Sequence, residues 1–215
     1  MGLRVFPCNG KTPATPHGCK DATTDPAQVA DWWGGGSTYN VAIATGNGLV
    51  VLDVDTNHDA GKFGDETLAD LEQQYGPLPE TWTCLTGGGG VHYYFQCDDP
   101  ALTVAAGFAP GLDYRGTGGY VVAPPSKHPQ TGRCYEWEAS STPTSVPLAP
   151  LPDWIHRLML QGKRDKPKQA KSKDAPGKVT EGQRNEKMFH LAASLRAKGL
   201  TVAEITAALT EANKT

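Results

Sequence analysis

Apolar residues in this chain come in short runs divided by glycine and proline, and the runs differ in period. Leu49-Val50-Val51-Leu52-Asp53-Val54-Asp55 is β-branched and dense, the pattern of a strand. Val41–Ala44, Trp82–Thr86, Val91–Phe95, Leu112–Arg115, Tyr120–Ala123 and Cys134–Glu138 read as further strands. Helical spacing is confined to three stretches of the same region. Thr24-Asp25-Pro26 offers a helix start with proline at an early helical position, and Gly34-Gly35-Gly36 ends that helix after Trp32-Trp33. Asp65–Tyr75 carries Leu68 and Leu71 on one face and stops at Gly76-Pro77. Asp153–Leu160 reads as a closing helix. Strands and helices in this mixture define an α+β domain over residues 1–160.

The pattern then changes. Residues 161–179 are almost without apolar side chains and read as a basic linker. Residues 180–215 return to helical spacing, through Met188, Leu191, Ala192 and Leu195, and Thr201-Val202-Ala203-Glu204 matches a capping box opening a second helix. Two such helices bury too little to stand alone, so a small helical appendage, the start of a larger module, is expected.

Composition narrows the class. In 215 residues there are 25 Gly and 17 Pro, which excludes a long bundle or coiled coil. No apolar stretch reaches the roughly 18 residues of a membrane span, and the N-terminus lacks an apolar signal core, so a cytoplasmic protein is expected. Five cysteines, none in C-x-x-C spacing, point to reduced thiols; the nearest approach to a zinc set is Cys8, His17 and Cys19. Charge is divided unevenly. Residues 1–155 hold 7 basic against 17 acidic side chains, and residues 156–215 hold 13 against 6. A basic tail of this kind suits a polyanion, with Lys163, Arg164, Lys166 and Lys168 as its first contacts, or is a solvated linker.

Three constellations carry candidate chemistry. Asp53-Val54-Asp55 ends a strand, where residues two apart share a face and the two carboxylates stand side by side. Such a pair is favourable with a cation between them, and hard oxygen ligands suit Mg²⁺ or Mn²⁺; a pair of solvent-facing acids is the plain alternative. Gly87-Gly88-Gly89-Gly90-Val91-His92 joins two strands, and glycine amides at such a turn can approach an anion closely. Alternation places His92 with Tyr94 on one face. Asp113 and Arg115 share a face of a third strand, as a salt bridge or as a metal ligand beside a triphosphate clamp. Two decoys fail: the EF-hand-like run from Asp55 has Ala60 where glycine is needed, and Gly10-Lys11-Thr12 lacks the earlier glycine of a P-loop. Taken together, the three constellations describe a two-metal site for phosphoryl or nucleotidyl transfer.

The order of these motifs resembles the bifunctional primase-polymerases of phages and plasmids, within the archaeo-eukaryotic primase superfamily. The resemblance runs from Gly10-Lys11-Thr12-Pro13 through Lys20-Asp21-Ala22-Thr23, Trp32-Trp33, Asn40, Thr45-Gly46, Val51–Asp55, Gly89–His92 and Gly119–Ser126. It implies an RRM-like mixed-sheet catalytic domain in which Asp53, Asp55 and Asp113 bind two Mg²⁺ or Mn²⁺ ions. It further implies that His92 with Gly88, Gly89 and Gly90 holds the triphosphate, with Arg115 and Lys11 nearby. The implied partners are single-stranded DNA template, primer and dNTP or NTP, with a helicase or further C-terminal domains, in a bacterial or phage-infected cell. One departure stands out: Gly87–Gly90 offer no side-chain hydroxyl before His92, so backbone amides are expected to carry that contact. A metal-dependent nuclease using the same acids, or a non-catalytic single-strand-binding module, are the competing readings.

Overall fold

The structure, a computed structural model, describes residues 2–56 and 61–164. In chain order its elements are β1 (Val5–Asn9), β2 (Thr12–Pro13), α1 (Pro26–Trp33), β3 (Asn40–Ala44) and β4 (Gly48–Val54). There follow α2 (Gly64–Tyr75), β5 (Thr83–Leu85), β6 (Val91–Cys97), β7 (Val104–Ala109), β8 (Leu112–Arg115), β9 (Tyr120–Ala123), β10 (Glu136–Trp137) and α3 (Asp153–Arg164). The expected α+β class is what is seen. A four-stranded sheet has the order β2-β1-β3-β9, and a six-stranded sheet the order β10-β5-β6-β4-β8-β7. The strands in both pair antiparallel.

Period two along β4 explains why the six-stranded sheet is covered on both faces. Val50, Leu52 and Val54 point to one side, into a core with Leu68 of α2 and Trp154, Ile155 and Met159 of α3. Leu49 and Val51 point to the other, into a core with Ile43, Val121 and Ala123 of the four-stranded sheet. Each side chain of this size contributes about 1.5–3 kcal/mol when fully buried. The next residue in the second series is Asp53. It therefore emerges on the face between the two sheets, where the apolar packing ends.

Local chemistry accounts for the helix ends. The Asp25 carboxylate caps α1 by accepting from the Ala27 amide at 3.0 Å, with Pro26 opening the helix as its sequence required. Helix α2 begins one residue earlier than its spacing suggested. A Cβ on Gly64 would lie 2.3 Å from the Gly111 carbonyl oxygen, so only glycine permits this approach of helix to strand end. Helix α3 runs to Arg164, into the segment expected as linker, because Gly162 lies close against Phe108 of β7. The remaining linker and the helical appendage lie outside the described residues.

Three strands escape the sequence pattern: β1, the two-residue β2, and β7. β1 contains Pro7, which normally argues against a strand. Here the Pro7 carbonyl accepts from Ala14 on the side away from β3, so its missing N–H falls on that outer side and costs no ladder bond to β3. β7 has a single β-branched residue, Val104, and is otherwise mostly alanine and glycine, so it lacks the run of branched residues that signals a strand. Among the described residues no helix is long and apolar enough to cross a membrane.

Candidate active site

Strand register assembles the site. Asp53 on β4 pairs with His92 on β6 at one side and with Asp113 on β8 at the other. Three residues far apart in sequence thus form one row across adjacent strands, on the face opposite the helices. Asp55 continues the series just past the end of β4, its amide donating to Gly111 at 2.9 Å.

Each carboxylate has a cationic neighbour from the chain itself. Asp53 lies 3.5 Å from the His92 Nε2 through one oxygen and 3.5 Å from the Arg115 Nη2 through the other. The same guanidinium nitrogen lies 3.3 Å from Asp113, whose second oxygen accepts from the Gly107 amide. The Lys62 ammonium holds Asp55. Burial pushes the Asp53 carboxyl up, but His92 and Arg115 outweigh it and hold the group below the usual carboxylate range. Among the described residues no three His, Cys, Asp or Glu side chains converge tightly enough to hold a metal ion as they stand. The donor chemistry nevertheless fits a divalent ion: hard carboxylate oxygens stand on one sheet face, two of them turned to a shared arginine and one to a lysine. These cations take the neutralising role that a metal would otherwise fill.

His92 is buried, and its Nδ1 has no hydrogen-bond partner among the described residues. Its ring lies 6.1 Å from that of Tyr135, which in turn lies 6.2 Å from His128. Burial and the Asp53 charge push the Tyr135 hydroxyl up to about 12, so it remains protonated at neutral pH. Burial first, then Lys11 and Arg133, hold the His128 imidazole below its ordinary value.

The glycine turn is more fully used than expected. Gly89 donates to the Thr86 carbonyl at 2.9 Å, and Gly90 donates to the Thr86 hydroxyl at 2.9 Å. Two of the three amides assigned to an anion are therefore spent inside the turn, and the Gly88 amide remains. A Cβ on Gly90 would stand 2.4 Å from the Val54 carbonyl oxygen, so the turn is pressed against the end of β4. From outside it is propped by Arg133 and Thr131, which donate to the Gly87 carbonyl at 3.0 and 2.7 Å.

A cavity of about 340 Å³ opens over this arrangement, with Lys11, Asp53, Asp55, Gly88, Gly90 and His92 among its lining. A second, of about 280 Å³, shares Lys11, Asp53 and His92 and adds Arg115. Most residues named from sequence are thus brought together. Asp113 and Gly89 line neither cavity. Lys163 and Arg164 end α3. Lys166 and Lys168 lie outside the described residues. Sequence reasoning missed Lys62, Thr86, His128, Thr131 and Tyr135, which also line the first cavity. For Tyr135 a signal existed, since Cys134–Glu138 alternates and turns Tyr135 inward; for the others none did.

An antiparallel sheet with an acid row across the face of its inner strands, a glycine turn beside it and helices behind is the frame of a nucleotidyltransferase-type enzyme. The chain belongs to the bifunctional DNA primase/polymerase family, whose N-terminal domain matches residues 1–154. It is therefore a DNA primase/polymerase domain, acting on DNA and nucleotides in replication. No individual curated protein matches the chain.

Proposed function

We propose that this domain starts and extends DNA strands on a single-stranded template by two-metal nucleotidyl transfer, in phage or plasmid replication. The observation that supports this reading is the row His92–Asp53–Asp113 beside the glycine turn. Asp53, Asp55 and Asp113 are the residues that would hold the two Mg²⁺ or Mn²⁺ ions. Such ions supply activation of the primer hydroxyl and neutralisation of charge on the triphosphate.

The chain's own residues divide the remaining work. Arg115 and Lys62 pair with the carboxylates and would yield them on loading. His92 fixes one oxygen of Asp53 and acts on the acid row. Lys11 and the Gly88 amide face the same cavity and meet the triphosphate. The tail beyond Arg164 brings template, initiating nucleotide and further replication partners, a helicase among them.

The test is extension of a labelled primer on single-stranded template with dNTPs and Mg²⁺ or Mn²⁺. Ladder products that vanish in Asp53→Ala/Asp55→Ala support the reading. A shortened primer would replace it with a nuclease, and intact DNA binding without products would leave a binding module.

A further inference from the structure

Beyond Lys11 the acid-lined cavity continues into a larger groove of about 700 Å³, bordered by Asn9, Gly10, Thr12, Tyr39 and Pro129. Lys11 and Gln130 line both spaces, so the groove is an extension of the site. We infer that this groove seats the single-stranded template next to the reacting centre, with a base stacked on Tyr39.

Three observations carry the assignment. Tyr39 is the large aromatic at the rim, and it is 47% exposed. Every base has a π-face, so one exposed ring holds a strand without regard to sequence. Second, the groove is built rather than incidental. The Asn40 side chain donates to Gly10 at 2.8 Å and to Lys127 at 2.7 Å, clamping the β1–β2 turn to the segment after β9. Trp33 donates to the Tyr39 carbonyl at 3.1 Å, and Tyr120 to the Lys11 carbonyl at 3.0 Å. Third, the charge suits a phosphate backbone. On an acidic body, Lys11 in the groove lining is an exposed cation with no carboxylate partner among the described residues, whereas Lys62 and Arg115 are held by acids. The groove's own lining carries no acidic residue.

This assignment rests on the proposed strand synthesis, and the experiment separates the two. The full chain, Tyr39→Ala and Tyr39→Phe are titrated with fluorescein-labelled oligo-dT, and KM for dTTP is measured on an oligo-dA template. Each is also photocrosslinked to an oligonucleotide carrying 5-iododeoxyuridine. Tyr39→Ala is expected to weaken single-strand binding roughly tenfold, with the phenylalanine variant near wild type and KM for dTTP unchanged. The crosslink is expected in the peptide containing Tyr39, a result that a strand held only by the basic tail would not give. A raised KM for dTTP with unaltered DNA binding would overturn the inference by giving the groove to the incoming nucleotide. Unaltered binding and no crosslink at Tyr39 would overturn it outright. Absence of any primer extension by the wild type, with the Tyr39 crosslink present, would refute the synthesis reading and leave the strand site standing.

Discussion

Asp53 and Asp113 stand directly opposite one another on paired strands, and one nitrogen of Arg115 lies within 3.5 Å of both carboxylates. Two like charges at such a position are unfavourable without a cation between them. Arg115 supplies that cation here, and under the proposed function a divalent ion would take its place.

Arg115→Met follows from this. Without the guanidinium the two carboxylates are left facing each other, and the pair is only partly exposed. Unfolding stability in the absence of divalent ions should fall by about 1–3 kcal/mol, and Mn²⁺ should restore more of it than it adds to the wild type. Thermal melting with and without Mn²⁺ measures both. A variant as stable as wild type and indifferent to Mn²⁺ would contradict the arrangement.

Lys62→Ala separates the second acid from its counter-ion. The pair is half-exposed, so stability should change by less than about 1 kcal/mol. Mn²⁺ binding, followed by titration calorimetry, should tighten, because Asp55 no longer has to exchange an ammonium for the ion. Weaker binding would show that Lys62 assists loading.

How much of this was legible beforehand depends on the range of the interaction involved. The period-two run through β4 fixed the face of Asp53, and Leu112–Arg115 and Tyr120–Ala123 were readable to the residue, because their signals are local. β1 was hidden by Pro7, whose harmlessness depends on which side of the strand its nitrogen faces. His128 and Tyr135 reach the site because the chain between β9 and β10 crosses from one sheet to the other at the mouth of the cleft. No local pattern records that crossing. The glycine turn was located correctly, but the part played by Thr86 was not, since a threonine closing a turn from within looks the same in sequence as one outside it.

Gly90→Ala and Gly88→Ala should behave differently. The first sets a Cβ against a backbone carbonyl that cannot retreat, and about 2–3 kcal/mol of stability should be lost. The second meets only the end of the His128 ring at 3.3 Å, so the fold should survive. Urea denaturation of the pair tests this; equal losses would mean that the turn is not pressed against β4.

The depressed His128 imidazole gives a pH dependence with a definite sign. Its folded value lies below the ordinary 6.5, so between the two values the unfolded chain binds the proton and the folded one resists it. Stability therefore falls as pH drops below 6.5. His128→Gln should flatten that slope, and Lys11→Met should raise the His128 midpoint seen by NMR. A midpoint at or above 6.5 in the wild type would contradict the placement of Lys11 and Arg133 around the ring.

The most direct test of the central claim is single-nucleotide incorporation by Asp113→Asn, the row member that lines neither cavity. At saturating Mn²⁺, dNTP and primer-template, the single-turnover rate should fall at least roughly 10²-fold below wild type, with DNA binding retained. A rate within a few-fold of wild type would remove Asp113 from the metal site and with it the catalytic role of the His92–Asp53–Asp113 row.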